Sequence, residues 1–227
     1  FMRNLYKNQV LESELSDKLS LLQYPDQSDK VFSIMVIQID GYGERTVNNP
    51  DIFLYGVNQI VTEIVAKDKR LTPIVHNDKH QVTLLSLDCS DDLAKKELTE
   101  IANHLIETIE QVLKISISIA FSPQYNNLLH SRENLHLAEQ TLSYQLLLGN
   151  QSIIFYDEVK QMISEPEISS YPYDLESQIL QAIRLGETSR VEQLAPDLLS
   201  QLFKSSNSPI NVQVALLRFA LSLLQLA

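Results

Sequence analysis

Apolar and polar residues recur along the chain with two different spacings, one typical of strands and one typical of helices. They divide the chain into a region that mixes strands and helices and a later region of helices alone. Short apolar, β-branched runs predict five strands, at residues 31–40, 72–75, 81–87, 115–121 and 152–156. Apolar residues three or four positions apart predict helices at 53–65, 91–112 and 132–148, between those strands. The resulting order, β-α-β-β-α-β-α-β, is typical of an α+β fold with a mixed β-sheet and flanking helices.

Helical patterns also lie on both sides of this region. At the start, apolar residues recur through positions 5–22 opposite an acidic face, which predicts one amphipathic helix that ends before Pro25. Such a helix either packs on the domain that follows or pairs with a second copy as a short coiled coil. After residue 160 only helical patterns remain, at 175–187, 188–205 and 209–227. Pro196 kinks or begins the second of these helices. The last, strongly apolar segment forms either the core of a helical unit or an oligomerisation helix.

Composition and charge exclude several classes of function. The 227 residues carry a formal net charge of −11, whereas a domain that binds DNA through its phosphates presents a basic face. Direct contact of this segment with nucleic acid is therefore not expected. No apolar run is long enough to span a bilayer. The single cysteine, Cys89, permits no intrachain disulfide and fits a reducing, cytoplasmic compartment.

Two histidines, His76 and His80, flank the predicted turn "HNDKH". A metal ion shared by the two imidazoles would require the turn to bring them together and Asp78 to join them. A solvated turn without a function is the preferred interpretation. The segment at 41–51, "GYGERTVNNPD", is predicted to be a turn-rich loop.

The stretch from residue 115 onwards carries a resemblance to a known family. "ISISIA" resembles a late strand of the GGDEF domains of diguanylate cyclases, and "LHLAEQTLSYQLLLGNQSIIFYD" resembles the helix, turn and last strand that follow it in that family. The residues at matching places are Ala138, Leu142, Tyr144, Gly149 and Asn150. The resemblance implies a nucleotide-cyclase-like sheet in which a ferredoxin-like β-α-β-β-α-β unit is embedded.

Of the residues that this family uses to cyclise GTP, the resemblance leaves only Asp40 in place. Its metal is held by acidic side chains, one of them in a "D-I-D" at the end of the first strand, where this chain has Gln38-Ile39-Asp40. Asp40 is left as a turn-capping residue or as the remnant of a weak site for one ion. The GGDEF signature is replaced by "NDKHQ" or "DKHQV", and the Arg-x-x-Asp site for cyclic dinucleotide is missing. The resemblance therefore implies a protein that is not an enzyme, with no catalytic, metal or cofactor-binding residue and no cofactor.

The phrase "YPYDLESQILQAIRLGE", at residues 171–187, resembles the connector of one group of bacterial AraC-family regulators. In that group an extracellular sensor and a membrane span precede a GGDEF-like domain, and a double helix-turn-helix follows it. The resemblance covers residues 30–224 and implies three parts. Residues 1–27 form a signalling or coiled-coil helix, 28–160 a degenerate GGDEF-like domain, and 161–227 a helical connector. The chain is expected to be a piece of a longer polypeptide.

The function implied by this resemblance is a non-catalytic signal relay in the cytoplasmic portion of a membrane-anchored regulator. The chain is expected to form a homodimer, to receive a signal from an upstream membrane sensor, and to reach DNA only through a C-terminal domain outside this sequence. Two alternatives stay open. One is a residual sensor of GTP or cyclic di-GMP, or a very weak diguanylate cyclase. The other is a different regulator family that carries a related domain.

Overall fold

The structure, a computed structural model, describes residues 1–22, 24, 30–41, 50–88, 91–164, 171–204, 206 and 208–226. Cys89 and most of the predicted loop at 41–51 lie outside these residues. The chain divides into two compact units, Phe1–Val159 and Lys160–Ala227. We call them the sheet unit and the helical unit.

The sheet unit contains one five-stranded mixed sheet with helices packed against it. Its strands are β1 (Val31–Ile39), β2 (Ile74–Val75), β3 (His80–Leu87), β4 (Ile117–Phe121) and β5 (Ile153–Phe155), in the order β2-β3-β1-β4-β5. All neighbouring strands are antiparallel except β4 and β5, which are parallel. The helices are α1 (Met2–Tyr6), α2 (Glu12–Leu21), α3 (Pro50–Ile64), α4 (Asp91–Leu113), α5 (Ser131–Ser143) and α6 (Gln145–Leu148). A further helix, α7 (Tyr156–Ser164), begins in this unit and continues past its last residue, Val159. The predicted mixed sheet with flanking helices is confirmed.

The central strand β1 is buried on both faces, which explains its nearly continuous apolar sequence. On one face Met35, Ile37 and Ile39 join the main core with residues of α3 and α4. On the other face the sheet is covered by α5, whose Leu135, Ala138 and Leu142 are buried. Polar residues that the sequence places on this second face of the sheet, near the end of β1, are therefore held between a strand and a helix.

The N-terminal segment differs from the prediction of a single helix over residues 5–22, which is wrong. The chain leaves the helical conformation after Tyr6, and Asn8 has φ +56°, a left-handed conformation that asparagine adopts more readily than most residues. The short α1 buries Leu5 and Tyr6 and packs against α5, whereas α2 buries no residue. Only the first of the two helices is therefore anchored by burial.

The helical unit consists of α8 (Tyr173–Leu185), α9 (Thr188–Lys204) and α10 (Pro209–Leu224). The first of these ends at Gly186, whose φ of +72° places it in the left-handed region that glycine reaches without strain. The second continues through Pro196, so the alternative in which it begins there is wrong. Ile179 of α8 and Leu198 and Leu202 of α9 form a small core, against which Leu216 and Phe219 of α10 pack. No described helix of either unit is long and apolar enough to cross a membrane.

Candidate functional site

The carboxylate of Asp40, just after β1, is held by three protein donors. The hydroxyl of Ser118 donates to Oδ1 at 2.7 Å, and the side-chain amide of Gln145 donates to the same oxygen at 2.9 Å. The backbone N–H of Gln151 donates to Oδ2 at 2.9 Å. With only 6% of its surface exposed, Asp40 fastens β1 to β4, to α6 and to the turn before β5. Its oxygens therefore serve as acceptors for groups of the protein itself.

Gln38, two residues earlier on β1, is tied to the hairpin that precedes β3. The strand register pairs it with His80, and its Oε1 lies 3.2 Å from Nε2 of that ring. The other ring nitrogen lies 3.1 Å from a carboxylate oxygen of Glu139 on α5. The amide of Gln38 also reaches Oε1 of Gln145, at 3.5 Å. An imidazolium would donate to both oxygen partners, whereas a neutral ring donates to one only.

These contacts form one continuous chain of polar side chains. We call it the strand-end network, and its members are Glu139, His80, Gln38, Gln145, Asp40 and Ser118. It links two helices and three strands on the α5 side of the sheet. The hydrogen bond from His80 holds the pKa of Glu139 below its usual range, because that bond favours the ionised carboxylate.

The hairpin between β2 and β3 turns without glycine. The side-chain oxygen of Asn77 accepts hydrogen bonds from the backbone N–H groups of Lys79 and His80, at 2.9 and 2.8 Å. This is an Asx-type turn, in which the side chain replaces a backbone acceptor. The N–H of His76 donates to the carbonyl of His80 and closes the turn. The turn thereby directs the imidazole of His80 towards Gln38 and Glu139.

The structure corrects the interpretation of the two histidines as parts of a solvated turn. The side chain of His80 is only 17% exposed and is bonded within the strand-end network. His76 packs edge-on against Tyr6 of α1, with ring centroids 6.1 Å apart. The alternative of a shared metal ion gains no support, since the described residues contain no group of three or more His, Cys, Asp or Glu side chains placed to hold one.

Several members of the strand-end network cannot be predicted from the sequence. Glu139 and Gln145 lie about a hundred positions from Gln38 and Asp40, and no local spacing connects them. Ser118 gives a weak signal, because a serine repeated between isoleucines in a buried strand needs a hydrogen-bond partner. The register of β1 against β3 pairs Gln38 with His80. This register is not visible in the hydrophobic pattern of the two strands.

Burial makes the hairpin sensitive to pH. It lowers the pKa of His76 below its ordinary value of 6.5, because the charged ring loses its hydration. As the pH falls below about 6.5, the unfolded chain binds a proton at this residue before the folded chain does, so the free energy of unfolding decreases. The depressed pKa of Glu139 adds a further loss below about pH 4.5.

We therefore expect urea midpoints measured from pH 8 to pH 5 to fall towards acid, and His76→Phe to flatten the decline between pH 6.5 and pH 5. Phenylalanine keeps a ring against Tyr6 and removes the titrating nitrogen. The matched control is His104→Gln, an exposed histidine on α4, which should leave the profile as it is. An unchanged profile in His76→Phe would exclude this residue as the source.

The phrase "YPYDLE" builds a second polar cluster, within the helical unit. The guanidinium carbon of Arg218 on α10 lies 4.5 Å from the ring centre of Tyr171 and 4.2 Å from that of Tyr173. Nη1 donates to the Tyr173 hydroxyl at 2.7 Å, and Nη2 lies 3.7 Å from a carboxylate oxygen of Glu176, a side chain only 6% exposed. We call these four residues the arginine cage. Cation–π contacts and a buried counter-charge attach α10 to the start of α8.

Comparison with known proteins gives partial likenesses. No family model matches the chain. Over 221 residues, which are 96% of the chain, it is 24% identical to the uncharacterized HTH-type transcriptional regulator YtdP of Bacillus subtilis (strain 168). The chain spans 28% of that regulator's length.

Solved structures similar to the chain are GGDEF-type domains of diguanylate cyclases. One is the active GGEEF domain of a diguanylate cyclase from Vibrio cholerae, with 14% identity and a TM-score of 0.39 over 62% of this chain and 88% of that chain. Another is the GGDEF domain of DgcB from Caulobacter crescentus in complex with c-di-GMP. It has 12% identity and a TM-score of 0.41 over 64% of this chain and 90% of that chain.

Proposed function

We propose that the chain is a non-catalytic signal-relay and dimerisation region of an AraC-type bacterial transcriptional regulator. Residues 1–27 receive a signal from a membrane sensor, residues 28–160 form a degenerate GGDEF-like domain, and residues 161–227 connect it to a C-terminal helix-turn-helix domain. Such a relay requires two packing states whose free energies differ by on the order of a few kcal/mol, so that a signal can bias them.

The observation that carries the non-catalytic part is the engagement of Asp40 and Gln38 by protein groups. Cyclisation of GTP in the resembled family depends on metal ions that neutralise phosphate charge, and carboxylate oxygens are the ligands that hard divalent cations prefer. Here the carboxylate of Asp40 already accepts three hydrogen bonds from the protein. The side chain of Gln38 is a neutral amide that is hydrogen-bonded to His80. A cation at Asp40 would have to displace these bonds.

The topology supports a degenerate GGDEF-like domain. Strands β1 to β4 with α3 and α4 follow the order β-α-β-β-α-β, and β3 lies between β2 and β1. This is the arrangement of a ferredoxin-like split β-α-β unit. The fifth strand extends it in parallel beside β4. The glycine-free turn at Asn77 occupies the hairpin in which the resembled family carries its signature.

The role in transcription is supported by the likeness to a regulator named as HTH-type, of which this chain corresponds to 28%. The "YPYDLE" connector favours the AraC type. In this proposal the chain lies in the cytoplasm below a membrane span, works as a homodimer and carries no cofactor. With a net charge of −11 it makes no direct contact with nucleic acid. DNA is bound by a domain outside this sequence.

The experiment that tests this role is to determine the coding sequence of the intact protein and to footprint that protein on its own promoter region. The proposal expects about a hundred residues after the connector, with two helix-turn-helix units and a basic face. It also expects protection of specific DNA. A coding sequence that lacks any DNA-binding unit would refute the role in transcription.

A further inference from the structure

The helix α10 exposes a stripe of five large apolar side chains at regular spacing. We call it the α10 stripe, and its members are Ile210, Val214, Leu217, Leu221 and Leu224. Each of them is between 53% and 71% exposed. The intervals of four, three, four and three residues keep all five on one side of the helix. Alternation of three and four is the spacing of a left-handed coiled-coil seam.

The opposite side of the same helix is already used by the fold. Val212 is 1% exposed, and Leu216 and Phe219 pack against the core of the helical unit. A surface helix of a monomeric protein carries one apolar face, with polar residues on the other. An apolar row of this length on the outer face marks an interaction surface.

We propose that the α10 stripe is the seam through which two copies of this chain pair, as a parallel two-stranded coiled coil. This inference rests on the proposed function, because it supplies the surface for the homodimer. In the heptad, Val214 and Leu221 occupy a positions, and Ile210, Leu217 and Leu224 occupy d positions. The central layers, Val214 at a and Leu217 at d, have the arrangement that favours two parallel strands, whereas Leu221 at a and Ile210 at d have the one that favours higher oligomers. We assign two strands from the central layers, and the measured mass tests this assignment.

Charge also favours a second copy as the partner. The only charged residue of α10 is Arg218, at an e position. The g position that it meets in a parallel partner is Gln213, so no like charges face each other across the seam. The cage of Tyr171, Tyr173 and Glu176 also holds the arginine in its own chain. For a chain with a net charge of −11, a surface free of acidic residues is the place where two copies meet with least repulsion.

The area is sufficient for a specific interface. Five side chains, each more than half exposed in the single chain, cover about two heptads. Pairing two such rows buries on the order of 1,000 Å² in total, which is the lower range for a specific protein–protein contact. The interface is small enough for its formation and release to be biased by a signal.

The test is the mass of the 227-residue chain in solution, measured by sedimentation equilibrium for the wild type and for the double variant Leu217→Glu/Leu221→Glu. The wild type is expected to be a dimer at micromolar concentration. The double variant places four carboxylates in the seam and is expected to weaken association by about 100-fold or more. The matched control is Leu185→Glu, on α8 of the same unit, since Leu185 is 61% exposed and Leu217 is 62% exposed. This control is expected to remain dimeric.

The parallel register of the two helices is tested with the double variant Val214→Cys/Cys89→Ala, to which oxidised glutathione is added. A parallel pair brings the two a-position thiols together, so a covalent dimer is expected. A monomeric wild type, a double variant that stays dimeric, or a dimer that does not cross-link at position 214 would overturn the proposal. Far-ultraviolet circular dichroism confirms that each variant is folded. Detection of a diguanylate cyclase product would refute the relay function without affecting these masses, so the two failures are distinguishable.

Discussion

Asp40→Ala is expected to lower the free energy of unfolding of the sheet unit by about 3 kcal/mol. A buried donor left without a partner costs roughly 1–3 kcal/mol, which applies in full to the Ser118 hydroxyl, and two partly buried donors lose their acceptor as well. The donors concerned belong to Ser118, Gln145 and Gln151. Asp40→Asn keeps an oxygen that accepts from Ser118 and Gln145 but places an NH₂ group opposite the N–H of Gln151. About half of that loss is therefore expected. Urea unfolding followed by circular dichroism measures both.

The control for this change is Asp78→Ala, which removes an exposed carboxylate from the tip of the hairpin. It is expected to change stability by less than about 0.5 kcal/mol. The comparison discriminates between a structural carboxylate and one kept for a cation. A carboxylate reserved for metal gains little from its surroundings when the metal is absent. An Asp40→Ala variant as stable as the wild type would therefore contradict the structural role.

Arg218→Ala is expected to destabilise the helical unit by about 2 kcal/mol. Removal of the guanidinium leaves the carboxylate of Glu176 buried without its counter-charge, and such groups cost several kcal/mol when unpaired. The figure is reduced because Arg218 itself is 44% exposed. Arg218→Lys keeps the charge but loses the planar contact with the two tyrosine rings, so an intermediate loss is expected.

Hydrogen exchange of the backbone amides in α8 and α10 measures this effect locally. The matched control is Arg190→Ala, an arginine of similar exposure paired with Glu187 at the helix surface. The Arg190→Ala variant is expected to lose no more than about 0.5 kcal/mol of the free energy of unfolding. Equal exchange rates in the Arg218→Ala variant and the wild type would show that the arginine cage does not hold α10, and the connector phrase would need another explanation.

The sequence predicts the strands well and the contacts between distant polar residues poorly. The β-branched runs place β1 at 31–40, against Val31–Ile39 in the structure, because burial on both faces of a strand leaves a continuous apolar signal. The separate helix α6 is not visible in the sequence, since the apolar pattern continues through Tyr144, where the backbone keeps right-handed helical angles of φ −68° and ψ −13°. The same limit applies after α1, where the helical pattern continues but the chain turns at Asn8, with φ +56°.

The strand-end network shows why a site of this kind is hard to predict. Its hydrogen bonds join residues separated by 42 positions, for Gln38 and His80, and by 105 positions, for Asp40 and Gln145. Only the strand register and the packing of α5 bring them together. The resemblance to the GGDEF family implies that an acidic pair is replaced by glutamine and aspartate. It does not indicate that a histidine and a second glutamine, from two other elements, contact Gln38.

The α10 stripe could not be predicted from the sequence for a different reason. The segment at 209–227 is apolar on all sides, so hydrophobic periodicity alone cannot separate the side that packs on α8 and α9 from the side that remains exposed. The packing of Leu216 and Phe219 against the unit core decides this. The two interpretations of the segment, a core helix and an oligomerisation helix, correspond in our proposal to its two faces.

The measurement that tests the central claim most directly is isothermal titration of the 227-residue chain with GTP and magnesium, and separately with cyclic di-GMP. Chromatography of the GTP mixture shows any cyclic dinucleotide formed, with an active GGEEF domain of a diguanylate cyclase as the positive control. We predict no binding of either nucleotide in the micromolar range and no product, because the oxygens of Asp40 are held by protein donors and Gln38 is a neutral amide. Micromolar binding would indicate a nucleotide sensor, and detectable product would indicate a cyclase. Either result would contradict the non-catalytic relay.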